Sequence, residues 1–283
     1  MPARSITLPS AKAPVAGSAK VRTHTLLQLK AQGRRFACLT AYDYAGGSAL
    51  EAAGIEVCLV GDSLGMVVLG YDSTLPVTME DMIHHAKAAG RGLKRAMLVV
   101  DMPFMSYQLG PSQALCNAGR LVKEGGAEVV KLEGGVEVAA SVRAIREAGI
   151  AVMGHLGLTP QSVHALGGYR IQGRSAAAAK KLLADAKALQ SAGACAIVLE
   201  GVPAALAAKV SKALQVPTIG IGAGAACDAQ VLVWHDLLAA LPGRGPKHAR
   251  PYEQIYVREL AALKNWASDV RSGRYPSAAE TLA

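Results

Sequence analysis

Polar and charged residues stand at the ends of successive apolar runs in this chain. Asp62 follows the run 56–60, Asp101 follows 97–100, Lys131 and Glu133 follow Val129 and Val130, His155 follows 152–153, and Glu200 follows 196–199. Each run has the length and apolarity of a buried parallel strand. An isolated buried ion costs on the order of several kcal/mol, comparable to a domain's whole net stability. Charge repeated at the same end of buried strands therefore points to one shared site.

The residue types suggest the chemistry. Asp62 and Asp101 close the second and third runs and Glu133 lies just past the fourth, so three carboxylates can gather on one arc. Hard carboxylate oxygens with no His or Cys nearby in sequence suit a partly hydrated Mg2+ rather than zinc. Without a cation the three would repel one another. Alternatively, Asp62 fixes the Gly61-Asp62-Ser63 turn and Glu133 caps a helix.

Lys131 and Glu133 are two apart on an extended segment and point the same way. Such a lysine either supplies positive charge where an enolate oxygen or a substrate carboxylate forms, or pairs internally with Glu133. Glu200 ends the sixth run, across from the acidic arc. That separation suits a general base that does not compete for the metal; a buried structural carboxylate is the other reading. His155, in Gly154-His155-Leu156-Gly157, reads as a pocket residue that orients a hydrogen bond. The segment Gly220-Ile221-Gly222-Ala223-Gly224 lacks the third glycine and following helix of a dinucleotide fingerprint, and reads as a close backbone turn rather than an anion cradle.

Eight strands have to position these groups. Strand-like runs fall near 35–40, 56–60, 96–100, 127–132, 150–154, 195–199, 216–220 and 230–234. Between them lie helical stretches near 44–53, 79–93, 111–124, 136–148, 175–191 and 203–213, and a very short one at 225–229. Ser175 sits where an N-cap belongs, Gly193 where a left-handed C-terminal residue is wanted, and Pro203 where a helix start needs no amide donor. Eight β/α steps without a second composition zone predict an α/β fold, a single (β/α)8 TIM barrel, with an open doubly wound sheet as the alternative. Residues 21–283 make up the barrel domain, with extra helices over 250–283, and residues 1–20 make a flexible basic arm. In such a barrel catalytic groups come from the C-terminal strand ends and the loops after them. Pro76 and the stretch from Leu156 to Arg174 fall in longer loops on that face, of the kind that close over substrates.

Composition narrows the function classes. Apolar residues make up 51% of the 283 and aromatics only 4%, which suits helix-on-sheet packing better than a stacked aromatic platform for nucleic acid. The net charge of +9 is concentrated at the start: Arg4, Lys12, Lys20, Arg22, Lys30, Arg34 and Arg35 all precede the first acidic residue, Asp43. A solvated tail without a recognition motif predicts no nucleic-acid partner. Cys38, Cys58, Cys116, Cys195 and Cys227 form no Cys-x-x-Cys pair and read as reduced thiols. No apolar run approaches the roughly 18 residues of a membrane span, and the first residues lack the apolar centre of a signal peptide. A cytoplasmic location without membrane attachment is expected.

Several long motifs in one order then carry a resemblance. They are Thr40-Ala-Tyr-Asp-Tyr44, Leu59-Val-Gly-Asp-Ser-Leu-Gly-Met66, Asp72-Ser-Thr-Leu-Pro-Val-Thr78, Asp101-Met-Pro-Phe-Met105, Val130-Lys-Leu-Glu-Gly-Gly135, Gly154-His-Leu-Gly-Leu-Thr-Pro-Gln-Ser162, Gly167-Gly-Tyr-Arg170 and Ile219-Gly-Ile-Gly-Ala-Gly224. From about residue 25 to 236 the chain resembles the ketopantoate (3-methyl-2-oxobutanoate) hydroxymethyltransferase family of pantothenate synthesis. The resemblance implies a Mg2+ site made by Asp62, Asp101 and Glu133, contacts from Ser63, Asp101 and Lys131 to a 2-oxo acid, and Glu200 as proton acceptor. It implies transfer of a hydroxymethyl unit from 5,10-methylenetetrahydrofolate to 3-methyl-2-oxobutanoate, giving 2-dehydropantoate and tetrahydrofolate through a Mg2+-stabilised enolate. It also implies a homo-oligomer, often a decamer built of pentamers.

The rival enzyme reading is a Mg2+-dependent lyase or mutase of the phosphoenolpyruvate mutase and isocitrate lyase type, whose reactive cysteine loop is not found here. A non-catalytic binding relative is the other rival, and retention of every expected site position argues against it. The chain departs from the family pattern at Ala229, where glycine is expected, and over Leu241 to Arg250.

Overall fold

The computed structural model describes residues 19–282. The chain forms two compact units, one up to Val231 and one from Leu232 onward. The arm expected over residues 1–20 lies outside the described residues apart from Ala19 and Lys20. Lys20 is held in place: its Nζ lies 2.7 Å from Glu128 Oε2 and donates to the Ala96 carbonyl at 2.7 Å.

The first unit closes eight parallel strands into a barrel in sequence order, so the open-sheet alternative falls away. The strands are β1 (Phe36–Thr40), β2 (Val57–Val60), β3 (Met97–Asp101), β4 (Val129–Glu133), β5 (Ala151–Gly157), β6 (Ala196–Glu200), β7 (Thr218–Ile221) and β8 (Ala229–Leu232). Helices α1 (Thr23–Ala31), α2 (Tyr44–Ala52), α3 (Leu64–Val67), α4 (Met79–Gly90), α5 (Pro111–Lys123), α6 (Ala139–Glu147), α7 (Ala176–Ala192) and α8 (Ala204–Ala213) belong to the same unit. The expected caps are present around α7. Ser175 Oγ accepts from the Ala178 N–H at 3.2 Å, and Gly193 ends the helix at φ 103°.

Three elements differ from expectation. Helices α1 and α3 were not anticipated, because each is short and buries little; α1 buries only Leu26. The short helix expected at 225–229 is a turn instead. Asp228 Oδ2 accepts from Thr218 N–H at 2.7 Å and pairs with Lys30 Nζ at 2.9 Å, which ties the segment to the start of β7. Strand β8 begins at once with Ala229, which is buried and not left-handed, so a methyl group is accommodated where glycine was expected.

Strand parity decides what faces the axis. Met97, Val99, Val129, Met153, Ala196 and Val198 belong to one buried interior cluster, and each strand keeps that face at every second residue. Continuing the same parity gives Asp101 on β3, Lys131 and Glu133 on β4, His155 on β5 and Glu200 on β6. The charged residues are therefore the uppermost layers of the barrel's interior at its C-terminal mouth.

The second unit contains α9 (Trp234–Leu238) and α10 (Ile255–Arg271), so the helices expected over 250–283 reduce to one. Tyr252 N–H donates to the Leu237 carbonyl at 2.8 Å and Tyr256 N–H to that of Ala239 at 3.1 Å. No residue of α10 is buried. Among the described residues no helix is long and apolar enough to cross a membrane. All five cysteines are free thiols, and burial pushes those of Cys58 and Cys195 up to about 12.

Candidate active site

Sheet register brings the strand-end groups together pair by pair. Asp101 lies opposite Lys131, Glu133 opposite His155, and Gly157 opposite Glu200. Opposed residues in a parallel pair point to the same side, so each pairing becomes a contact. Lys131 Nζ is 2.8 Å from Asp101 Oδ1, His155 Nδ1 is 3.4 Å from Glu133 Oε1, and His155 Nε2 is 3.3 Å from Glu200 Oε2. Lys131 therefore pairs with Asp101 on the neighbouring strand rather than with Glu133 on its own.

Glu200 is less isolated than its place in the sequence suggested. Because β6 neighbours β5, one imidazole alone separates it from Glu133. The space it occupies depends on Gly157, which is left-handed at φ 97° and whose Cβ, if present, would overlap the Glu200 carbonyl oxygen. Leu158 N–H donates to that carbonyl at 2.8 Å, fixing the start of the loop after β5 against the end of β6. Glu200 is the most accessible of the charged group: its side chain is 18% exposed, against 4% for His155.

Asp62 and Ser63 come from the turn that leads from β2 into α3. Asp62 N–H donates to Asp101 Oδ2 at 3.1 Å, joining the β2 and β3 ends. A Cβ at Gly61 would come within 2.9 Å of Ser63 Oγ, which would have to turn away. Ser63 Oγ shares a hydrogen bond with the Tyr42 hydroxyl at 2.9 Å.

Two residues that sequence reasoning passed over organise the acidic arc. Gln161 Nε2 donates to Asp62 Oδ2 at 2.8 Å and to the Met102 carbonyl at 2.9 Å, while its backbone N–H donates to Glu133 Oε2 at 3.0 Å. Tyr107 donates its hydroxyl proton to Gln161 Oε1 at 2.6 Å and accepts from Glu133 N–H at 3.2 Å. One buried glutamine thus touches groups belonging to the β2, β3 and β4 ends. Its only sequence signal was membership of the Gly154 to Ser162 motif, since no spacing rule links residue 161 to residue 62.

The electrostatics follow from packing these groups out of water. Burial, then the charges of Asp101 and Glu133, push the Asp62 carboxyl up to about 8, against the opposing pull of Lys131 and Gln161. Burial works against the charge on Lys131, but Asp101, Asp62 and Glu133 outweigh it and raise its pKa. His155 is lifted to about 9: burial and Lys131 oppose its protonation, and Glu133 and Glu200 on either side of the ring prevail. Its Nδ1 also lies 3.3 Å from Lys131 Nζ. That nitrogen can donate to Glu133 or accept from Lys131 but not both, so the imidazole proton selects its partner.

The acidic excess fits a divalent cation. Asp62, Asp101 and Glu133 offer hard oxygens, and the charges of the other two add to burial in raising the Asp62 pKa. Glu133 is engaged by His155 and the Gln161 amide. Among the described residues no three His, Cys, Asp or Glu side chains stand together as a ready metal-binding group. Hard carboxylate oxygens at a partly hydrated mouth would suit Mg2+. The glycine segment after β7 is a turn, as read: Gly222 and Gly224 are left-handed, and Gln230 Nε2 donates to the Gly224 carbonyl at 3.0 Å.

Comparison with known proteins places the chain in a family. Residues 20–278 match the family model described as ketopantoate hydroxymethyltransferase. The 3-methyl-2-oxobutanoate hydroxymethyltransferase of Carboxydothermus hydrogenoformans is 56% identical over 257 residues, covering 91% of this chain and 93% of that protein. Its counterpart from Moorella thermoacetica is 53% identical over 262 residues, covering 93% and 97%. Among solved structures, phosphoenolpyruvate phosphomutase from Streptomyces platensis subsp. rosaceus superposes with a TM-score of 0.60 at 14% identity, covering 92% of this chain and 91% of that one. A 2,3-dimethylmalate lyase of the PEP mutase/isocitrate lyase superfamily gives 0.57 at 15%, with the same coverages. At such identities these two share the fold and nothing more follows from them. With the family model matched over residues 20–278 and more than half of the aligned residues identical to those of its relatives, the chain belongs to the ketopantoate hydroxymethyltransferase family.

Proposed function

We propose that this enzyme transfers a hydroxymethyl unit from 5,10-methylenetetrahydrofolate to 3-methyl-2-oxobutanoate, giving 2-dehydropantoate and tetrahydrofolate. The observation that carries the reading is the convergence of Asp62, Asp101, Lys131, Glu133, His155 and Glu200 on one barrel mouth in a chain of this family. Mg2+ held by Asp62, Asp101 and Glu133 would polarise the keto group when bound.

The chain's own residues then divide the work. Lys131, fixed by its ion pair with Asp101, presents positive charge to the oxygen on which charge develops. Glu200 takes the proton from C3, which suits its position as the most accessible carboxylate of the group. His155 holds Glu200 from one side and is itself held by Glu133 from the other. Ser63 and Asp101 orient the 2-oxo acid in this reading. Water adds to the methylene carbon, whose two bonds to folate nitrogen break to free tetrahydrofolate and a one-carbon aldehyde unit. The nucleophilic carbon at C3 attacks that unit, whose oxygen takes up the proton that Glu200 removed.

We place the enzyme in the cytoplasm as a homo-oligomer, a decamer by family resemblance, without nucleic-acid or membrane partners. Assembly is supported by α10, where Val257, Leu260, Leu263, Trp266 and Val270 are all exposed, an apolar surface that water disfavours. Purified protein assayed with both substrates, with Mg2+ or with chelator, and alongside Glu200→Gln, tests the reaction. Metal-dependent 2-dehydropantoate formation that is lost in the variant is the expected result. A folded, Mg2+-supplied wild type that makes no product would overturn the assignment.

A further inference from the structure

The loop after β5 carries an aromatic residue that none of the steps above uses. Tyr169 is 54% exposed, yet its hydroxyl donates to Met66 Sδ at 3.7 Å. Met66 belongs to the segment after β2, and β2 and β5 lie three strands apart in an eight-stranded barrel. A contact between these two segments spans the ends of β3 and β4, where Asp101, Lys131 and Glu133 sit. Burial, then the charges of Glu200, Asp62 and Glu133, raise the Tyr169 hydroxyl pKa, which puts the ring within electrostatic reach of the site.

The backbone presents this ring deliberately. Gly167 and Gly168 immediately before it are left-handed, at φ 67° and 107°, and Gly168 N–H is anchored to the Val163 carbonyl at 2.9 Å. Beyond the ring, Gln172 N–H donates to the Gly201 carbonyl at 2.9 Å, tying the loop to the residue after Glu200. The loop is thus pinned on both sides of a tyrosine whose face is left open to solvent beside a polarizable thioether.

We infer that Tyr169, with Met66 beside it, is the platform on which the fused ring of the one-carbon donor lies. This rests on the reading above that the donor is a reduced folate. The 2-oxo acid is small and is accounted for by the charged groups inside the mouth, whereas a fused ring needs a flat apolar partner at its rim. Tyrosine supplies that area at little entropic cost, and methionine sulfur adds a soft contact.

Titration calorimetry with tetrahydrofolate, and separately with 3-methyl-2-oxobutanoate, on wild type, Tyr169→Leu and Tyr169→Phe tests the inference without turnover. Loss of the ring should weaken tetrahydrofolate roughly tenfold, while phenylalanine keeps the stacking face and stays within roughly twofold. Affinity for the 2-oxo acid should move less than roughly twofold in both variants. Unchanged tetrahydrofolate affinity in Tyr169→Leu overturns the platform, and so does an equal loss for both ligands, which would mark the loop as merely structural. Tetrahydrofolate binding by a wild type that forms no 2-dehydropantoate would overturn the assigned reaction, while the Tyr169 comparison still decides the platform.

Discussion

Replacing Gln161 by leucine tests whether the acidic arc is organised as described. The side chain is buried and makes three hydrogen bonds, donating to Asp62 Oδ2 at 2.8 Å and the Met102 carbonyl at 2.9 Å and accepting from the Tyr107 hydroxyl at 2.6 Å. Leucine fills similar volume, so little of the effect comes from packing. It leaves a carboxylate, a carbonyl and a hydroxyl without their partners. A buried group deprived of its hydrogen bond costs about 1–3 kcal/mol, so the three together predict a loss of about 3–9 kcal/mol. Urea unfolding of the two proteins measures it, and a lower melting point should accompany it.

The double variant Gln161→Leu/Tyr107→Phe sharpens the test. Tyr107→Phe alone orphans Gln161 Oε1 and the Glu133 N–H that donates to the hydroxyl at 3.2 Å. In the double variant the hydroxyl that leucine would strand is already gone, so the two losses should sum to about 1–2 kcal/mol less than their separate values. A Gln161→Leu loss below about 1 kcal/mol, or strict additivity, would refute the network, because water would then be satisfying groups described here as dry.

Three further outcomes follow from single features. Glu200→Gln should lower kcat by roughly 100- to 10,000-fold, with an unchanged urea midpoint showing that the loss is chemical rather than structural. Gly157→Ala should unfold at markedly lower denaturant, losing about 3 kcal/mol or more, since the methyl must enter a left-handed backbone and displace the Glu200 carbonyl. Glu51 accepts from the N–H groups of Lys94, Arg95 and Ala96 at 2.9–3.1 Å; burial raises its pKa, but those bonds prevail and hold it below its ordinary 4.5. A depressed folded value means the stabilisation is fully present above the unfolded pKa and is lost as pH falls through the lower folded one. Urea midpoints between pH 6 and pH 3 should therefore fall less steeply in Glu51→Gln than in wild type.

The fold and the charged residues were legible because both rest on local pattern. Eight apolar runs separated by helical stretches admit few architectures, and a charge after a buried run is visible without knowing what it touches. The contacts among those charges were not legible to the same degree. Lys131 and Glu133 are two residues apart, so an internal pair was a fair reading, yet register sets Asp101 directly across from Lys131 and the cross-strand pair forms. Gln161 and Tyr107 carried no charge and no period, and only the closed barrel brings residue 161 to residue 62, 99 positions away. The turn at 225–229 was misread as a helix because the side chain that prevents one, Asp228, finds its partners at Lys30 and Thr218.

The register also explains why the polar cluster climbs from strand to strand. Asp101 faces Lys131; two residues further on, Glu133 faces His155; two further on again, Gly157 faces Glu200. Each step to the next strand advances the contact by one interior position, the stagger expected of strands tilted around a barrel axis. A Cβ at 157 would not extend the β5 interior series of Met153 and His155, because in the left-handed backbone it would overlap the Glu200 carbonyl and meet Val202 Cγ1 at 2.7 Å. Glycine there lets the end of β5 close against the strand end that carries the most accessible carboxylate of the group. The placing of Glu200 thus depends on the residue paired with it, so changes at Gly157 and Glu200 should not act independently on turnover.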